Sequence, residues 1–419
     1  MKHPHGKTEI GARPAAGPIA DARGGLRLVV DGTRGVTSLV EALHGQIQRF
    51  APPLRRREGL PNDASADAAG DGLPPTRGIT GLVYRSIQGG TRLVGDGLDG
   101  LLAPFDSALS GAAPSPRRDA MVAALNGVLG DHLLRSGNPL ALPMQLRQAG
   151  RPLDPQALGA TAPGHVLLLV HGLCMSDLGW RRNGHDHGET LAHALGAAPV
   201  YAFYNSGRHI SQNGRALAEV LEQLVQQWPV PLQRLTIVGH SMGGLVARSA
   251  IAQAGAAGHH WPALLRQLVF LGTPHHGAPL ERAGNWLHRV MDLSPYVAPF
   301  TRLSRLRSEG ITDLRHGNLL EADWQHNSRF DHADRRTPVP LPEGVDCYAI
   351  AATVGGPDTP GSLLGDGLVM IDSALGRHRR AAMRLHLSDD HCWVGHGIHH
   401  LDLLSDPVVY RKMLGWLQT

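Results

Sequence analysis

Arg234-Leu235-Thr236-Ile237-Val238-Gly239-His240-Ser241-Met242-Gly243-Gly244 reads as a short apolar strand running into Gly-X-Ser-X-Gly and then into a helix-forming segment. This order predicts a sharp strand-to-helix turn that lifts a serine hydroxyl out of a sheet and leaves it exposed. Glycines flank the serine because the backbone must turn tightly and pass close to its neighbours. The helix after it aims free N–H groups at the place where an oxyanion would form. The pattern alone decides little: with 52 glycines in 419 residues, chance supplies roughly 0.3 matches. The competing reading is a plain turn of small residues, so the flanking segments have to decide.

Working outward, strand patterns alternate with helical ones from Thr161 onward. His165 to Val170 and Val200 to Tyr204 read as buried strands. Leu217, Val220, Leu221, Leu224, Val225 and Trp228 form a helical face before the serine turn. After it come a helix from Met242 to about Ala254, strands at Leu265–Leu271 and Val345–Ala352, and a last helix over roughly 406–417. This alternation predicts an α/β domain over 161–419, with a mostly parallel sheet and helices on both faces.

A serine hydroxyl needs a base to take its proton and a third group to orient that base. In such a sheet the partners follow in the order Ser, Asp or Glu, His, on loops after strands. Gly365-Asp366-Gly367 follows the Val345–Ala352 strand, and Gly397-Ile398-His399-His400-Leu401-Asp402 lies near the end. Asp366 suits a loop acid and equally a turn aspartate; Asp372 is the reserve. Spacing does not choose between His399 and His400. Besides the Met242 N–H, a second oxyanion donor should come from the loop after an earlier strand. Val170-His171-Gly172-Leu173 closes one, making Leu173 the candidate, with His171 and Gly172 shaping the loop. Cys174 reads as a small packing residue.

Before Thr161 the chain reads as a mainly helical N-terminal extension over 1–160, interrupted by Ala51-Pro52-Pro53 and a loop-like, disordered stretch at 63–75. Two amphipathic helices begin at Val36 and Ile79 and share an echo, 33–40 against 76–83; a third spans 118–134. Their simplest role is packing on the second region. The sharper one is peripheral contact with a lipid or membrane surface, with Arg85 and Arg92 beside the apolar stripe. An insertion over about 278–344 carries apolar residues at helical spacing from Trp286 to Leu303, read either as a cap building an acyl cleft or as a structural subdomain.

Composition narrows the classes. At 42% hydrophobic and 18% charged the chain is globular. A net charge of +4 is too mild for a nucleic-acid binder, so no nucleic-acid partner is expected. Three scattered cysteines form no disulfide framework or zinc motif. Gly184-His185-Asp186-His187-Gly188 lacks further ligands at metal spacing, so no metal or cofactor is expected. With no apolar leader core and no membrane-length run, the expected location is the cytoplasm.

The second region resembles the α/β-hydrolase superfamily, specifically its lipase and GPI inositol-deacylase-like branch. The resemblance rests on Val-His-Gly-Leu at 170–173, Gly-His-Ser-Met-Gly-Gly at 239–244 and Leu-Gly-Thr-Pro-His-His-Gly-Ala-Pro at 271–279, with Gly-Asp-Gly-Leu-Val at 365–369 and His-Leu-Asp-Leu-Leu at 400–404. It implies the α/β-hydrolase fold and a Ser241–Asp366–His400 triad, with Leu173 and Met242 as the oxyanion hole. The function implied is a serine esterase or lipase acting on a small-molecule or lipid ester through an acyl-enzyme. The same triad could serve an acyltransferase, and a non-catalytic lipid-surface protein is the reading from another class. No motif speaks to acyl length or oligomeric state.

Overall fold

A computed structural model describes residues 116–278, 308–325, 334–357 and 365–419. The helices expected at Val36 and Ile79, the loop at 63–75 and most of the insertion at 278–344 (279–307 and 326–333) lie outside the described residues. The described residues begin with helix α1 (Pro116–Arg135), strand β1 (Gln145–Gln148) and β2 (Arg151–Pro152). Next come β3 (His165–Val170), a small ribbon of β4 (Arg181–Arg182) and β5 (His185–Asp186), and α2 (His187–Leu195). The central part holds β6 (Ala198–Phe203), α3 (Ile210–Gln227), β7 (Arg234–His240), α4 (Met242–Ala257) and β8 (Leu265–Leu271). It ends with α5 (Glu309–His316), β9 (Asp346–Thr353), β10 (Cys392–His396) and α6 (Pro407–Leu417).

Eight strands form one sheet in the order β10-β9-β8-β7-β3-β6-β1-β2. The run from β10 to β6 is parallel, while β1 and β2 add an antiparallel edge. Parallel strands are buried on both faces and so read as continuous apolar runs. That is why His-Val-Leu-Leu-Leu-Val at β3 and the Leu265–Leu271 strand were legible at their observed limits. Side chains alternate between the faces. Leu167, Leu169, Val238, Val269, Leu271 and Ile350 pack with Leu191 of α2 and Val409, Met413 and Trp416 of α6. The intervening residues, such as Leu168, Ile237 and Phe270, are equally buried on the opposite face, where α3 and α4 pack together and α4 lies along β7.

One feature differs from expectation. Helix α1 and strands β1 and β2 precede residue 161, yet β1 pairs with β6 and extends the sheet. Arg147 of β1 is buried because Asp119 of α1 takes its guanidinium at 2.7 Å and the Phe203 ring lies 3.6 Å from it. The chain runs from β3 outward to β6 and then returns to the other side of β3 as β7. This reversal is a topological switch point, where a crevice opens beyond the carboxyl ends of the strands. The loop after β3 and the turn after β7 meet there. Among the described residues no helix is long and apolar enough to cross a membrane.

Candidate active site

Ser241 sits between β7 and α4 with φ 53° and ψ −124°, a left-handed conformation rare for a residue with a side chain. Such a backbone costs about 1–3 kcal/mol and persists only where its surroundings over-determine it. Here the Ser241 N–H donates to the Leu271 carbonyl at 2.8 Å, tying the turn to the end of β8. A Cβ on Gly239 would lie 2.6 Å from the Gly244 backbone, so only glycine lets strand and helix fold back so closely. Met242, fully buried, starts the helix behind the serine.

Asp366 and His400 come together. Asp366 Oδ2 lies 2.6 Å from His400 Nδ1, both side chains almost fully buried, and the His400 N–H donates to the Asp366 carbonyl at 3.1 Å. Asp366 Oδ1 accepts the N–H groups of Leu368 and Val369 at 2.9 and 2.8 Å. One carboxylate therefore shapes its own loop and orients the imidazole. His399 points to solvent, and Asp372 is exposed with Arg377 at 3.6 Å. Gly272 leaves room beside the pair: at φ 56°, a Cβ there would come 2.8 Å from Leu403 Cδ1, 3.1 Å from Asp366 Oδ2 and 3.2 Å from His400 Cε1.

A narrow cleft is lined by Ser241 and His400 together with Gly172, Leu173, Met175, His240, Pro274, Ala278, Leu314, Leu368 and Val369. Among the described residues its lining side chains are apolar apart from the serine and the two imidazoles. Leu173 lines this cleft from the loop after β3. His171 is buried, stacked on Tyr204 with centroids 4.3 Å apart, its Nδ1 2.8 Å from the Gly172 carbonyl. The Tyr204 hydroxyl donates to the His171 carbonyl at 2.6 Å. Cys174 has φ 59° and its thiol is pushed up to about 12 by burial, which leaves it un-ionised and inert.

Sequence reasoning passed over His240, the variable residue inside the serine motif. Its ring lines the cleft, and its Nε2 lies 3.1 Å from the His400 carbonyl, supporting the backbone that carries the imidazole. The signal was present, since a histidine beside a strand-end serine must face either the cleft or the neighbouring loops. Gly184-His185-Asp186-His187-Gly188 serves as a helix start: Asp186 Oδ1 accepts the N–H groups of Gly188 and Glu189 and the Tyr201 hydroxyl. His187 Nε2 lies 3.1 Å from the Leu403 carbonyl.

Burial holds several of these imidazoles neutral. Desolvation lowers His171 and His187 to about 4, and His240 and His275 well below the usual histidine value. Above pH 6.5 these groups are neutral whether the chain is folded or not. As pH falls below 6.5 the unfolded chain takes up protons that the folded one refuses until about pH 4. Stability is therefore expected to fall steeply from pH 6.5 to 4, by up to about 3 kcal/mol for a histidine shifted as far as His171. Urea midpoints measured across that window check this; a flat profile would contradict it.

A family model described as a domain of unknown function (DUF7379) matches residues 138–306. No curated protein matches the chain. Similar solved structures include the Bacillus licheniformis lipase BlEst2 in mature form, 17% identical, covering 62% of this chain and 93% of that one, TM-score 0.40. The Pyrococcus furiosus esterase Pf2001 is 13% identical over 61% of this chain and 81% of that one, TM-score 0.36. Phospholipase PlaB from Legionella pneumophila in complex with thio-NAD is 16% identical over 50% and 44%, TM-score 0.32. The strand order, the parallel run and the strained serine turn between β7 and α4 identify the architecture as the α/β-hydrolase fold.

Proposed function

We propose that the chain is a serine hydrolase of carboxylic esters with an uncharged, apolar acyl group. The observation that carries this reading is the buried Asp366–His400 pair, whose imidazole shares a cleft with the strained Ser241. In this mechanism Ser241 Oγ attacks the ester carbonyl while His400 Nε2 takes its proton. Asp366 holds Nδ1–H and stabilises the imidazolium that forms. The N–H groups of Leu173 and Met242 receive the oxyanion, and the helix dipole of α4 adds to their effect. Collapse of the tetrahedral intermediate passes the proton from His400 to the leaving alkoxide and leaves an acyl-Ser241 ester. Water, deprotonated by His400, then releases the acid.

The cleft supports the substrate class. Leu173, Met175, Pro274, Leu314, Leu368 and Val369 offer no counter-charge to an ionised acyl group, and desolvating such a charge would be costly. A panel of p-nitrophenyl esters tests the reading. Neutral acyl chains are expected to turn over with a burst of p-nitrophenol, and a succinyl half-ester to be at least about 100-fold poorer. Equal rates for charged and neutral acyl groups would contradict the assignment. With glycerol or a thiol competing for the acyl group, transfer exceeding hydrolysis would instead support the acyltransferase reading.

A further inference from the structure

The loop that carries Leu173 is held from several sides. Its next residue, Cys174, is left-handed at φ 59°, a conformation that persists where its surroundings hold it. Tyr204 holds the start of the loop at His171, and Cys174 itself is met by α1, a helix before the region in which the hydrolase motifs lie. Gly127 of α1 faces Cys174 so closely that a Cβ there would sit 2.8 Å from the Cys174 Cα and 2.9 Å from its nitrogen. The Cys174 N–H donates to Ser206 Oγ at 3.0 Å. The loop holding Ser206 also meets α1: Asn205 Nδ2 donates to the Gly130 carbonyl at 2.9 Å.

The far end of the Leu173 loop is tied to the same helix through buried charge. Asp119 of α1 binds Arg147 at 2.7 Å, and Arg147 reaches Asp177 at 3.4 Å. Arg118 also touches Asp119 at 3.4 Å. On the other side of the cleft, Ser308 Oγ donates to the Gly127 carbonyl at 2.7 Å and caps α5, whose Leu314 lines the cleft. One helix thus touches the Leu173 loop, its Ser206 support and the base of a cleft wall.

We propose that α1 is the positioning element of the oxyanion-stabilising loop, with Gly127 setting how closely helix and loop approach. The inference rests on Leu173 being an oxyanion donor. An ordinary glycine-to-alanine change inside a helix is mildly favourable, so Gly255→Ala in α4, where a Cβ would meet nothing within 4 Å, is the matched control. Gly127→Ala should push the loop outward. Amide hydrogen exchange over 171–177 is expected to rise at least about tenfold in the folded full-length variant and to stay unchanged in the control. On p-nitrophenyl acetate kcat should fall about 10- to 100-fold, with KM within about twofold, because a displaced donor is felt in the transition state and little in substrate binding. Asp119→Asn should give the same pattern more weakly, and it decides the matter if Gly127→Ala does not fold. Unchanged exchange over 171–177 in a folded variant would overturn the proposal. So would raised exchange with kcat intact. If the native protein turns over no ester, the catalytic reading fails, while the exchange data still decide whether the helix holds the loop.

Discussion

Ser241→Ala is expected to lower kcat/KM on p-nitrophenyl esters by about 10⁴ to 10⁶, the loss seen when a hydrolase nucleophile is removed. The protein should remain folded. Alanine carries the same Cβ as serine and bears the same left-handed backbone at φ 53°, and the N–H bond from residue 241 to Leu271 is kept. Only the hydroxyl oxygen goes. Residual turnover would come from water attacking the bound ester, with the proposed Leu173 and Met242 donors stabilising the oxyanion. Rates compared at matched thermal midpoints check this, and full activity in the folded variant would refute Ser241 as nucleophile.

Asp366→Asn should cost about 10⁴ in kcat with little loss of structure. The reason is local. Oδ1 of residue 366 accepts two backbone N–H groups, from Leu368 and Val369, so the amide oxygen of an asparagine must stay on that side. Its NH₂ group is then aimed at His400 Nδ1, where the carboxylate sits 2.6 Å away in the native chain. A donor there forces the imidazole proton to Nε2, the nitrogen that must be free to take the serine proton. The loop keeps its shape while the base is switched to the wrong tautomer. Nitrogen NMR shifts of the His400 ring would report the change directly, alongside the rate.

How much of this was legible in the sequence depended on where the information lay. The parallel strands were readable because burial on both faces demands unbroken apolar runs, as in β3 and β8. The serine turn was readable because its glycines answer to a local steric need. Strand β1 was not: Gln-Leu-Arg-Gln looks polar, and Arg147 is buried only because Asp119 and Phe203, far away in sequence, receive it. For the same reason α1 looked like part of a separate extension. Its buried face becomes meaningful only once Gly127 meets Cys174. His399 and His400 are identical in composition and adjacent in sequence, and only the pairing with Asp366, far away in sequence, distinguishes them. The apolar segment at 286–303 lies outside the described residues.

The central claim is that Ser241 is a nucleophile activated within the fold, and covalent labelling with a fluorophosphonate tests it most directly. The native protein should gain a single phosphonyl adduct, mapped by peptide mass spectrometry to Ser241, and lose esterase activity in proportion. Urea-unfolded protein and the Asp366→Asn variant should label far more slowly, because the hydroxyl is then without its base. A native protein that stays unlabelled at Ser241, or that labels equally fast when unfolded, would contradict the account.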